Sequence, residues 1–213
     1  MADVVNRLRN GQPPTVPVDT GVVDASKGTA TGVVDTSKGT ETKTADASTG
    51  EVRCAKDLEQ LPSSITSLTI LSCDDYKMEQ LNFAAFPKLE TLRVASKCFA
   101  YPSHVEISGL YDLTAVVVED DCFAADDANA ELVVKDCPRL QTLSIGNQAF
   151  SAFKRFSLSG LPLLESLTIG SHCFVAADFV IDAMDLLETV QLGEGSFEKA
   201  HHTAVASAEW LQG

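Results

Sequence analysis

An all-β solenoid of about six coils, with two parallel sheets behind a flexible amino-terminal tail, is the fold the sequence predicts. Three observations lead there. Apolar pairs separated by one residue recur as Leu68/Ile70, Leu92/Val94, Val116/Val118, Leu143/Ile145, Leu167/Ile169 and Val190/Leu192. A second set tracks the first in the same register, from Leu81/Phe83 through Val105/Ile107, Leu132/Val134 and Phe156/Leu158 to Phe179/Ile181. A phenylalanine column at positions 99, 123, 150, 174 and 197 repeats the spacing a third time. Three columns sharing one variable period mark a repeat protein.

The tail comes first along the chain. TGVVDASKGTA at 20–30 is nearly duplicated by TGVVDTSKGTE at 31–41, and no aromatic residue precedes Tyr76. Such a segment buries too little apolar surface to offset the entropy of ordering it, so residues 1–50 are expected to form a low-complexity flexible tail. An 11-residue period also suits a right-handed helix. Its apolar stripe would consist only of Val22–Val23 and Val33–Val34, each beside a glycine. Residues 51–213 form the second unit, the solenoid.

Within each coil, alternation over four or five residues reads as a strand with one face turned inward. LTIL, LRVA, VVVE, LSIG and LTIG supply one set of strands, and VEIS, ELVV, FSLS and FVID another. No coil buries its apolar face alone, so neighbours must stack at the ~4.8 Å strand spacing. Gly146, Gly170 and Gly193 stand where a β-carbon would hinder the bend after the first strand. Ala95 and Glu119 hold the same place, so positive φ is not required there. The small residue before each phenylalanine (Cys98, Cys122, Ala149, Cys173, Ser196) suits a crowded inner corner.

The series Leu140, Leu143, Ile145, Gly146, Ala149, Phe150 and its successor Leu164, Leu167, Ile169, Gly170, Cys173, Phe174 resemble leucine-rich repeats of the BspA-like class. The resemblance spans roughly residues 61–200. It implies a leucine-rich-repeat β-solenoid, with Leu68, Leu92, Val116, Leu143, Leu167 and Val190 as first-strand core positions. It further implies a role in protein binding or surface adhesion. Two departures stand out: cysteine is preferred before phenylalanine, and Asp75 occupies the first phenylalanine position, so residues 54–80 are expected to form a capping or irregular coil.

Composition limits the function. Asp and Glu number 30 against 16 Lys and Arg, a formal net charge of -14. Residues 51–213 hold 24 of those acids and 11 of the bases. This excess opposes binding to nucleic acid or to an anionic membrane and favours a protein partner with a basic surface. The start MADVVNRLRN lacks a secretory pattern, and no 18-residue apolar span occurs, so a cytoplasmic protein is the expectation. The six cysteines read best as small buried thiols. A Cys98–Cys122 disulfide between adjacent coils and a metal site are the alternatives.

Chemical motifs are sparse. Phosphate-binding glycine loops, zinc-protease helices and nucleophile elbows are missing from the sequence, and the four histidines occupy unrelated positions. No catalytic, cofactor or metal residue is therefore assigned, and the chain is expected not to be an enzyme. The expected function is a protein-interaction or scaffold module; a cell-surface adhesin or a structural subunit of a larger assembly are the alternatives. Its recognition face would be the outward row of the first strands, Thr69, Arg93, Val117, Ser144, Thr168 and Gln191. Asp120, Asp121, Asp126 and Asp127 join it from the coil lengthened by three residues, where repeat proteins tend to place binding loops.

Overall fold

The computed structural model describes residues 48–53, 55–73, 78–182, 184–200 and 203–206. The tail duplication, Cys54, Asp75, His201 and His202 lie outside them. Short strands follow one another: β1 (Thr49–Val52), β2 (Ser67–Ile70), β3 (Gln80–Asn82), β4 (Thr91–Val94), β5 (His104–Ser108), β6 (Ala115–Val118) and β7 (Glu131–Lys135). The series continues with β8 (Thr142–Ile145), β9 (Arg155–Ser159), β10 (Ser166–Ile169), β11 (Asp178–Asp182), β12 (Thr189–Leu192) and β13 (Thr203–Ala206). One short helix, α1 (Ala55–Leu58), follows β1.

The strands separate into two parallel sheets. A seven-stranded sheet runs β1-β2-β4-β6-β8-β10-β12, and a six-stranded sheet runs β3-β5-β7-β9-β11-β13. The chain is thus an all-β β-solenoid: from β2 onward each coil gives one strand to each sheet, and five steps lead from β2 to β12. Inward positions alternate along the strands from β1 to β10. Leu92 and Val94, Val116 and Val118, Leu143 and Ile145, and Leu167 and Ile169 are all buried, as are the second-strand pairs from Leu81/Phe83 to Phe179/Ile181.

The phenylalanine column is continuous. Phe99, Phe123, Phe150, Phe174 and Phe197 stack ring on ring, with centroids 5.1, 4.4, 5.2 and 5.4 Å apart. Each ring sits at a corner held by two left-handed residues. Asp121 and Phe123 (φ 59° and 57°), Gln148 and Phe150 (58° and 54°), and His172 and Phe174 (58° and 48°) are such pairs. Left-handed backbone costs a residue with a β-carbon roughly 1–2 kcal/mol. Hydrogen bonds in both directions offset that cost. Gln148 N donates forward to Ser171 O at 2.8 Å, while Phe150 N donates back to Cys122 O at 2.8 Å. The corner therefore laces each coil to both neighbours.

Glycine serves a different purpose just before this corner. Gly146 has no positive φ, but a β-carbon there would lie 2.7 Å from the Asp120 nitrogen of the preceding coil. The obstacle is the neighbouring backbone as much as the bend.

The two ends depart from the sequence reading. β1 begins at Thr49 and pairs with β2 in the register Gly50↔Leu68 and Val52↔Ile70, so the sheet crosses the expected division at residue 50. Gly50 takes an inward place, where a β-carbon would come 2.9 Å from the end of the Leu61 side chain. At the other end, Val190 is only half-buried and Leu192 is 49% exposed, against the expected core role. Among the described strands β12 has a neighbour on one side only, β10.

Candidate functional site

Sheet register assembles the expected recognition row. Glu51, Thr69, Arg93, Val117, Ser144, Thr168 and Gln191 are successive partners across β1, β2, β4, β6, β8, β10 and β12. A parallel row two residues earlier comprises Thr49, Ser67, Thr91, Ala115, Thr142, Ser166 and Thr189. Nine of these fourteen outward side chains carry hydroxyls, and Thr91 Oγ1 donates to Ser67 Oγ at 2.9 Å. Only Glu51 and Arg93 are charged. The face is short and nearly neutral on a strongly acidic protein.

Arg93 is its one cationic side chain, and it is held in place. Its Nε donates to Glu119 Oε1 at 3.0 Å, with a second bond from Nη2 to the same oxygen. The other carboxylate oxygen accepts from Ser96 N at 3.1 Å and Ser96 Oγ at 3.0 Å. The Arg93 bond, then the Ser96 hydroxyl, hold the Glu119 carboxyl below its ordinary range. Next to Arg93 in register lies Val117, 36% exposed. Fixing the guanidinium in advance reduces the entropy lost when it meets a partner.

The four aspartates, grouped in the sequence, do different things. Asp120 Oδ1 accepts from Asn147 N at 2.7 Å, and Asn147 Oδ1 from Ser171 N at 2.9 Å, forming a side-chain ladder between coils. Asp121 is one of the left-handed corner residues, its N donating to Asn147 O at 2.9 Å. Asp126 and Asp127 instead line an open groove beside the second sheet. Asp126 approaches Lys154 Nζ at 3.6 Å, and Asp127 Oδ1 accepts from Asn129 N at 2.7 Å.

That groove contains residues the sequence reading passed over. One hollow of about 550 Å³ is walled by Tyr101, Ser103, Asp126 and Asp127, and an adjoining one of about 320 Å³ by His104, Asn129, Glu131 and Arg155. Gln80, His104, Glu131, Arg155 and Asp178 form one register column across β3, β5, β7, β9 and β11. His104 Nδ1 lies 2.7 Å from Glu131 Oε1, and Arg155 reaches Glu131 Oε2 through Nε and Nη2, both at 2.9 Å. Beside them Lys135 Nζ lies 2.9 Å from Glu106 Oε1. Burial works against the Glu106 carboxylate, but the Lys135 and Ser108 hydrogen bonds outweigh it and hold its pKa down. His104 is thus part of a cross-coil network. The signal was its column, at the spacing of the core pairs.

The gap between the sheets amounts to about 10 Å³, roughly one water-sized sphere. The thiols are structural there: Cys122 Sγ points to Ala95 O at 3.1 Å and Cys173 Sγ to Gly146 O at 3.0 Å. Burial pushes both up to about 11 and shifts Cys137 the same way. No disulfide joins Cys98 to Cys122. Among the described residues no group of three or more His, Cys, Asp or Glu is placed to hold a metal ion, and no helix is long and apolar enough to cross a membrane. Comparison with protein-family models, curated proteins and solved structures finds no match to this chain.

Proposed function

We propose that this protein is a binding scaffold whose recognition surface is the outward face of the first sheet, with Arg93 and Val117 at its working centre. The carrying observation is the unbroken register row from Glu51 to Gln191, in which a pre-positioned arginine and an exposed valine stand among short hydroxyl side chains. Interface energy concentrates in a few such anchors, arginine prominent among them, while their small neighbours let a partner approach closely. Stacked-coil proteins commonly use extended sheet surfaces in this way. In this reading the chain is a leucine-rich-repeat solenoid of the BspA-like class, it works in the cytoplasm, and no residue is catalytic. Its partner is a protein with a basic surface, steered toward the chain by the acidic excess over residues 51–213, which lies almost wholly outside the nearly neutral row.

The test is a photo-crosslinking amino acid placed singly at Ser144, beside the centre, and at Ser157 on the outward side of the second sheet. In native extract, Ser144 should give a discrete protein adduct that weakens when Arg93 is changed to Ala, and Ser157 should give none. The same adduct from both positions, or one indifferent to Arg93, would remove the first sheet from the interface.

A further inference from the structure

We propose that the groove beside the second sheet is a binding site for a neutral oligosaccharide. Its two hollows, about 550 and 320 Å³, share Glu79, Ser103 and Asp127 and therefore adjoin. Each falls within the ~300–1,000 Å³ common for ligand sites. Tyr101, 50% exposed, stands in the wall of the larger hollow. Part of the wall comes from a coil longer than its neighbours: the segment between Phe123 and β7 supplies Asp126, Asp127 and Asn129. Repeat proteins place functional insertions in such loops.

The chemistry of the lining narrows the ligand. Arg155 and Asn129 bring donors, Asp127 and Glu131 acceptors, and Ser103 and His104 groups of either kind. A cationic ligand would use only the acceptors and leave the guanidinium and amide idle. An anionic one would meet Glu79, Asp126, Asp127 and Glu131 together. A purely apolar ligand would find one aromatic ring among polar groups. A sugar uses the whole set, since each hydroxyl donates and accepts, and its C–H face packs on an aromatic ring such as Tyr101. The polar groups are also positioned in advance. Glu131 is held by His104 at 2.7 Å and Arg155 at 2.9 Å, and Asp127 caps the Asn129 nitrogen at 2.7 Å. This site is separate from the first-sheet row and stands or falls without it.

The experiment is a titration of the full chain, followed by amide NMR, with neutral trisaccharides of glucose, galactose and N-acetylglucosamine. Triarginine and trigalacturonate are the charged comparisons. At least one neutral sugar should move the amides of Tyr101, Ser103 and Asn129 with millimolar affinity. Tyr101→Ala and Asp127→Asn should each weaken that binding about fivefold or more, as expected for losing a stacking face or a charged acceptor. Ser144→Ala, on the other sheet, should leave it unchanged. Both groove residues are solvent-facing; should the Tyr101 variant unfold, the Asp127 variant decides. Failure of every neutral trisaccharide to move those amides at about 20 mM, a concentration that populates millimolar complexes, would overturn the proposal. So would binding of triarginine alone, or full affinity in the Asp127 variant.

Discussion

Phe150 and Phe197 occupy the same place in the repeat, and only one of them is sealed. Phe150 lies between Phe123 at 4.4 Å and Phe174 at 5.2 Å, meets Phe153 edge-on, and is 1% exposed. Phe197 stacks on Phe174 at 5.4 Å and on Phe179 at 4.8 Å, yet it is only partly buried. The strands repeat the contrast: Leu143 and Ile145 are buried, whereas their counterparts Val190 and Leu192 are not fully covered. The same pattern gives a core in one coil and a half-open surface in another. Burial in a solenoid is conferred by neighbours, because no coil has an interior of its own.

Truncation should reveal this difference most strongly. Phe150→Ala removes a ring enclosed on every side and should destabilise the protein by about 3–5 kcal/mol in denaturant unfolding. Phe197→Ala should cost about 1–2 kcal/mol, since part of its surface is already in water. Equal costs would mean that the terminal coil is as enclosed as the central one.

Alkaline pH should come next. Cys122 and Cys173 titrate near 11 in the folded chain, above the 9.0 of an unperturbed thiol, because burial disfavours the thiolate. A raised folded pKa means that the unfolded chain releases its protons first. The contribution is complete below about pH 9 and is lost as pH rises toward 11. The melting temperature should therefore fall across that window, and less steeply in a Cys122→Ala, Cys173→Ala double variant. An identical slope in the variant would remove these thiols from the account. The smallest effect belongs to the outward row: Ser144→Ala should change stability by no more than about 0.5 kcal/mol.

The parts of this structure that were legible in the sequence are those repeated in every coil. Leu92, Val116, Leu143 and Leu167 announce themselves because each must fill the same inward position, and the phenylalanines because each ring needs another beneath it. β1 escaped notice for the opposite reason. It stands eighteen positions before β2 and offers Gly50, packed against the Leu61 side chain, where the others offer leucine or valine. Asp120 and Asp127 look alike in a linear run but belong to different corners, one bonded into the coil ladder and the other facing a groove. His104, Glu131 and Arg155 share a column yet look unrelated in sequence, because outward positions tolerate any side chain that finds a partner on the next strand. Periodicity carries the fold; the site depends on what departs from it.

Native-state amide exchange at Gly146 and Gly193 tests most directly whether stacking on both sides makes the core. The two residues are of one type, hold the same position in the repeat, and donate to the preceding coil at the same distance, 2.7 Å to Val118 O and 2.7 Å to Ile169 O. They differ on the far side: the next coil donates from Gly170 N to Ile145 O beside Gly146, whereas no described strand of that sheet lies beyond β12. If neighbours confer stability, Gly146 should exchange only through near-global opening, and Gly193 at least about 100-fold faster through local fraying. Equal protection at the two glycines, or stronger protection at Gly193, would contradict that account.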